Sequence, residues 1–149
     1  MKLTQITMTL VLAASAALAN EHVIRIRDQA VQLEKDYRSI GEVVKGKAFD
    51  ASLVQARFQS AGAGIEKLKQ SVTDAEVSGA FPALDADWVQ TKTLIALISV
   101  FHDEKGAVLA GEPQKNRGLL KAHSKGLVQR AAMLQKSSGK LLASIPSAQ

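Results

Sequence analysis

No cysteine occurs in the 149 residues of the chain. That absence excludes disulfides, thiol nucleophiles, thiolate metal sites and thioether-linked haem, and with them a lipid anchor built on a cysteine at a cleavage site. Aromatics are also scarce, with one Trp, one Tyr and four Phe. Nucleic-acid bases would therefore find few rings to stack on, and the 19 basic and 14 acidic side chains are spread along the chain rather than gathered in a stripe. A nucleic-acid surface is not expected. Sustained alternation of period two is missing, so strands are not expected either.

What is present begins with a leader. The first nineteen residues, "MKLTQITMTLVLAASAALA", carry one lysine, an apolar run from Ile6, and the small-x-small end Ala17-Leu18-Ala19. This is the pattern of a secretory signal peptide, too short and wrongly flanked for a membrane span. Residues 1–19 are read as the signal peptide and residues 20–149 as one domain, exported to the periplasm and soluble, with no membrane span after cleavage. The remaining 130 residues suffice for one core. Cleavage removes only Lys2 among the charges, leaving 18 basic against 14 acidic groups.

From Val23 the large or apolar residues fall at Val23, Ile26, Ala30, Leu33, Tyr37, Ile40 and Val44, in steps of three and four. That is the inward stripe of a helix in a left-handed bundle. Lys45-Gly46-Lys47 closes it, Asp50 is placed to cap the next helix, and the stripe resumes at Val54, Phe58, Ala61, Ile65, Leu68 and Val72. The joint spans only about three or four residues, which makes the two helices antiparallel neighbours. The segment Thr73 to Asp87, "TDAEVSGAFPALDAD", reads as the one long connection.

A third helix is expected from about Asp85 to Leu109, with Trp88, Leu94, Ile95, Leu97, Ile98, Phe101 and Val108 on a broad apolar face. After the break "AGEPQ", Leu120, Leu127, Ala131, Leu134, Ser138, Leu141 and Ile145 carry the last helix until Pro146. The fold class is therefore all-α, an antiparallel up-down-up-down four-helix bundle.

Ile40 to Ala51, "IGEVVKGKAFDA", resembles the junction between the first two helices of the cytochrome c prime family, I-G-x-M-V-K-G-x-x-[YF]-D-A. Trp88 after a Pro-containing crossover fits the same plan. The resemblance implies a periplasmic bundle that holds haem near its carboxyl end by C-x-x-C-H, a family whose bundles commonly pair through their first two helices. The corresponding stretch here, "GLLKAHSKGLVQRAAMLQKSSGKLL", has neither cysteine, so no covalent haem is expected. Gln129 to Gln135, "QRAAMLQ", is also similar to the R-x-M-L-S-Q helix of periplasmic sensor domains, which are four-helix bundles as well.

Cofactor candidates rest on three histidines. In a hairpin turning near residue 112 or 113, His102 and His123 come to one level. Two imidazoles there could ligate haem non-covalently, or a transition metal with Asp103 or Glu104 as a further ligand. The bland alternative is a pair of histidines on the rims of a helix seam. His22 would be the third residue after cleavage at Ala19, the position of an amino-terminal copper or nickel motif.

Arg25, Arg27 and Arg38 read as solvated flanks of the first stripe, and Gly62 and Gly64 as close-packing positions rather than a phosphate loop. No Ser-His-Asp arrangement, phosphate loop or Glu-x-x-His pair is legible, and no enzyme is expected. The expectation is a non-enzymatic binding or interaction protein, with a protein partner or a second copy of itself.

Overall fold

A computed structural model describes residues 2–82 and 84–145. It is all-helical, with 87% of the chain in helix and no strand among the described residues. The elements are α1 (Lys2–Lys45), α2 (Ala51–Ser78), α3 (Ala86–Phe101), one turn of π-helix (His102–Gly106), α4 (Ala107–Gly111) and α5 (Arg117–Ser144).

Helix α1 forms where the three-four stripe predicts, and all seven stripe residues from Val23 to Val44 are buried. The Asp50 side chain accepts from the Leu53 amide at 3.0 Å and so starts α2. Asp85 starts α3 in the same way, accepting from the Trp88 amide at 2.9 Å. Arg117, at the head of α5, donates to the carbonyls of Val44 and Gly46 at 2.9 and 3.0 Å. It thereby satisfies carbonyls that the end of α1 leaves without helical partners. The same guanidinium lies 4.7 Å from the centre of the Phe49 ring, so the joint between α1 and α2 is clamped from α5.

Residues that meet between helices run in opposite order along the chain. Between α1 and α5 these are Val44 with Arg117 and Glu34 with Gln135. Asp36 meets Ser60 and Leu33 approaches Gly64 between α1 and α2, and Thr91 meets Ser137 and Phe101 meets His123 between α3 and α5. Glu76 meets Lys92 between α2 and α3, where His102, just past α3, approaches Gly62. The core they enclose joins Ile26, Leu33, Ile65, Leu68, Ile98 and Leu134 with Trp88, all nearly or fully buried. No helix among the described residues is long and apolar enough to cross a membrane.

Two expectations need correction. The connection after α2 is shorter than Thr73 to Asp87, because α2 continues to Ser78 with Ala75 fully buried and ends at Gly79 in the left-handed region, φ 69°. Burial of one face outweighs the polar composition of that stretch. The third helix does not run unbroken to Leu109, since the π-turn separates α3 from α4. In consequence Val108 is 71% exposed instead of joining the apolar face. Leu97 is exposed as well, on the outer side of regular α3. Pro146, expected to stop the last helix, lies outside the described residues.

Candidate functional site

The π-turn brings two histidines into one aromatic cluster. An α-helix advances 100° per residue, so a turn with an extra residue re-aims every side chain after it. His102, the first residue of that turn, is buried and stacks on Phe58 of α2, ring centres 3.8 Å apart and planes 9° from parallel. The stacking requires two glycines. A Cβ at Gly106 would lie 2.2 Å from Phe58 Cζ, and one at Gly62 would lie 3.2 Å from His102 Nε2.

Tyr37 of α1 reaches the same ring from the other side, its hydroxyl 2.7 Å from His102 Nδ1. Burial, together with the carboxylates of Asp36 and Asp103, pushes the Tyr37 phenol well above its ordinary value. Burial also lowers the His102 pKa, with His123 contributing in the same direction and Asp103 opposing. With both groups neutral, the phenol and Nδ1 share one hydrogen bond whose donor is set by the His102 tautomer.

Asp36, beside Tyr37, is itself buried, accepting from Ser60 Oγ at 3.0 Å and Gln32 Nε2 at 3.2 Å. The Arg57 guanidinium stands 3.9 Å from it.

His123 belongs to a second stack. Phe101 lies parallel to it at 5.2 Å, and the Arg130 guanidinium covers the far face of that system at 3.9 Å from the Phe101 ring centre. His123 Nε2 points to the interior, 3.4 Å from where a Gly106 Cβ would stand. The expected meeting of His102 and His123 at one level is therefore present as a shared environment around Gly106 and Phe58. His102 cannot offer Nδ1 to a metal without losing the Tyr37 bond. Among the described residues no group of three His, Asp or Glu side chains that could hold a metal comes together, Asp103 and Glu104 included.

Outside His123 opens a cavity of about 570 Å³, walled by Phe101, Val108, Leu109, Leu119 and Ala122, with Glu104 and His123 as its polar members. Val108 and Leu119, 71% and 62% exposed, form its rim. Large aliphatic side chains this exposed and this close together are unusual unless something covers them.

His22 lies elsewhere. It is fifteen residues before Tyr37 on α1, about 22 Å along the helix, so it shares no site with the other two histidines. It is buried, and its Nδ1 has no hydrogen-bond partner among the described residues. Asn20, Glu21 and His22 are helical in the intact chain. Ligation of copper by their backbone amides requires cleavage and unwinding of that turn.

Arg25, Arg27 and Arg38 are exposed and paired with Glu21, Asp28 and Glu34, as solvated flanks should be. Tyr37, Phe58, Arg130 and the π-turn carry the site, yet none was a candidate from sequence. Tyr37 and Phe58 were visible only as members of the apolar stripes. The one signal for the turn was Gly106 amid the polar run "HDEKG" inside an otherwise apolar helix. Comparison of the chain with protein-family models, with curated proteins and with solved structures finds no match.

Proposed function

We propose that the chain is an exported, periplasmic bundle, similar to cytochrome c prime in its helix joint but without covalent haem, that acts as a non-enzymatic binding protein. Residues 1–19 act as its signal peptide. The opposite running order of the four neighbour pairs supports an up-down-up-down arrangement of α1, α2, α3 and α5. The observation that carries the binding reading is the apolar cavity beside the π-turn, with Glu104 and His123 as its polar groups. Such a cavity suits a small apolar molecule bearing one hydrogen-bonding or basic group. Haem held through His123 is the cofactor form of the same reading.

The test is an absorption spectrum of the protein purified from the periplasm, followed by titration with haem and with an environment-sensitive apolar fluorophore. Saturable binding of either probe, weakened at least tenfold by Leu119→Glu, is the expected result. A Soret shift lost in His123→Ala would identify the haem form. Absence of binding by both probes removes the cavity as the functional site.

A second reading, function through contact with a second copy or another protein, is favoured by the outer face of α3. Val89, Leu97 and Val100 are exposed there on one nearly uncharged helix, whereas among the residues whose burial is described α1 and α2 expose Leu18, Ile24 and Val77 as their large aliphatic residues. Light scattering on Leu97→Glu with Val100→Glu separates this reading from the first. A mass above that of the monomer that falls in the variant supports it, and a monomeric mass at every concentration removes self-association.

A further inference from the structure

We infer that the groove between α1 and α5, on the side of the molecule where Tyr37 faces Ser124, is a binding site for a small organic anion: a carboxylate or phosphate group on a compact apolar body. The site lies outside the cavity at the π-turn and does not depend on it.

The groove encloses about 430 Å³. Its walls carry Arg38 and Lys45 from α1 and Lys121 and Lys125 from α5, against the single carboxylate of Glu42. Two of these cations are already balanced along their own helix. Arg38 bonds to Glu34 at 2.6 Å, and Lys45 lies 3.7 Å from Glu42. Lys121 and Lys125 are not balanced: one turn apart on α5, they make no ion pair among the described residues. Like charges at this spacing repel, and an anion between them relieves that repulsion.

The floor gives the site its shape. Gly41 lets the α1 backbone approach α5, since a Cβ there would lie 3.2 Å from Ser124 Oγ. The half-buried Val128 and the alkyl stems of Lys121 and Lys125 offer an apolar surface below the charges. Tyr37 adds no charge to the groove, because burial holds its phenol protonated, with the hydroxyl 2.7 Å from His102 Nδ1. A bare inorganic ion would leave that apolar floor uncovered, whereas a flat ring or short aliphatic body would cover it.

The experiment is an amide-resolved NMR titration of the full chain with benzoate, with phenyl phosphate and with inorganic phosphate, each at an ionic strength held constant with chloride. The expected result is saturable shifts confined to residues 37–45 and 121–129 for at least one organic probe. Binding should weaken at least tenfold in Lys121→Glu with Lys125→Glu, and by a smaller factor in the Gln pair at the same positions. Both lysines are exposed, so the variants keep the fold. No saturable shift with either organic probe, or a Glu pair that binds within twofold of the parent, overturns the site. Inorganic phosphate binding as tightly as phenyl phosphate overturns the apolar floor as part of it.

Discussion

Helix α1 and the run from α3 through α4 both line the core, but they do so differently. Along α1 the large residues keep steps of three and four from Val23 to Val44, and every one is buried. Along α3 the pattern holds through Trp88, Thr91, Ile95, Ile98 and His102, and shifts after it. From there a single π-turn rotates the following residues, turning Ala110 inward and Val108 outward. The regular helix gives an apolar seam with Asp36 and Tyr37 buried in it, while the irregular run sets His102 against Phe58 and borders the cavity. Buried polar side chains occur on both.

The sharpest way to break the irregular region is at Gly106. Gly106→Ala would place a methyl group 2.2 Å from Phe58 Cζ and 2.5 Å from Cε2, against a ring already stacked on His102. Relief requires Phe58 to leave its stack, and the expected loss is about 3 kcal/mol, the upper part of the range for overpacking. Urea denaturation followed by circular dichroism measures it. A change under about 0.5 kcal/mol would mean that the π-turn moves freely and does not fix the site.

Next in size is Tyr37→Phe, which keeps the ring but removes the hydroxyl bonded to His102 Nδ1 and leaves a buried ring nitrogen without its partner. The expected loss is about 1 to 2 kcal/mol. The equivalent test of the regular region is Arg117→Ala, which frees the carbonyls of Val44 and Gly46 and uncovers the Phe49 ring. Water can reach those carbonyls from the exposed end of α1, so the expected loss is about 1 kcal/mol. If Arg117→Ala proves costlier than Tyr37→Phe, the weak point of the molecule is the helix joint rather than the buried cluster.

The regular region was the legible one. The α1 stripe, the Asp50 cap and buried Trp88 all follow from spacing and local chemistry, since neighbours within one helix decide them. The end of α2 was misread because Thr73 to Ser78 is polar in composition, and only the burial of Ala75 against other helices holds it helical. The level shared by His102 and His123 could be reached from hairpin register alone. Their partners could not, because Tyr37 lies 65 residues from His102, and Phe58 meets it only once Gly106 has made space. Arg117 was hidden for the same reason, since its carbonyl acceptors lie more than 70 residues away.

Acidification separates the two regions without any substitution. Burial lowers the His102 pKa below its ordinary 6.5, so between the two values the unfolded chain binds more protons than the folded one. Stability therefore rises with pH through this window. The contribution is complete above about pH 6.5, declines as pH falls through the lowered value, and is constant below it. Thermal melts at pH 7.5 and pH 5 should show a drop in midpoint for the parent that is smaller in His102→Phe. Equal drops in the two proteins would assign the acid sensitivity to other groups.

The smallest expected effect has the opposite sign and belongs to the regular region. Gly139 lies inside α5, between the buried Ser138 and Leu141, yet a Cβ at this position would meet nothing within 4 Å. Unlike Gly106 it serves no packing purpose, and in a helix interior glycine is less favourable than alanine by about 0.8 kcal/mol. Gly139→Ala should therefore raise stability by roughly that amount, because alanine restricts the unfolded chain more than it disturbs the folded one. The same substitution at two glycines of one chain is then destabilising at the π-turn and stabilising on α5. A loss of stability at Gly139 would mean that something presses on α5 there, and would point to that face as a contact surface.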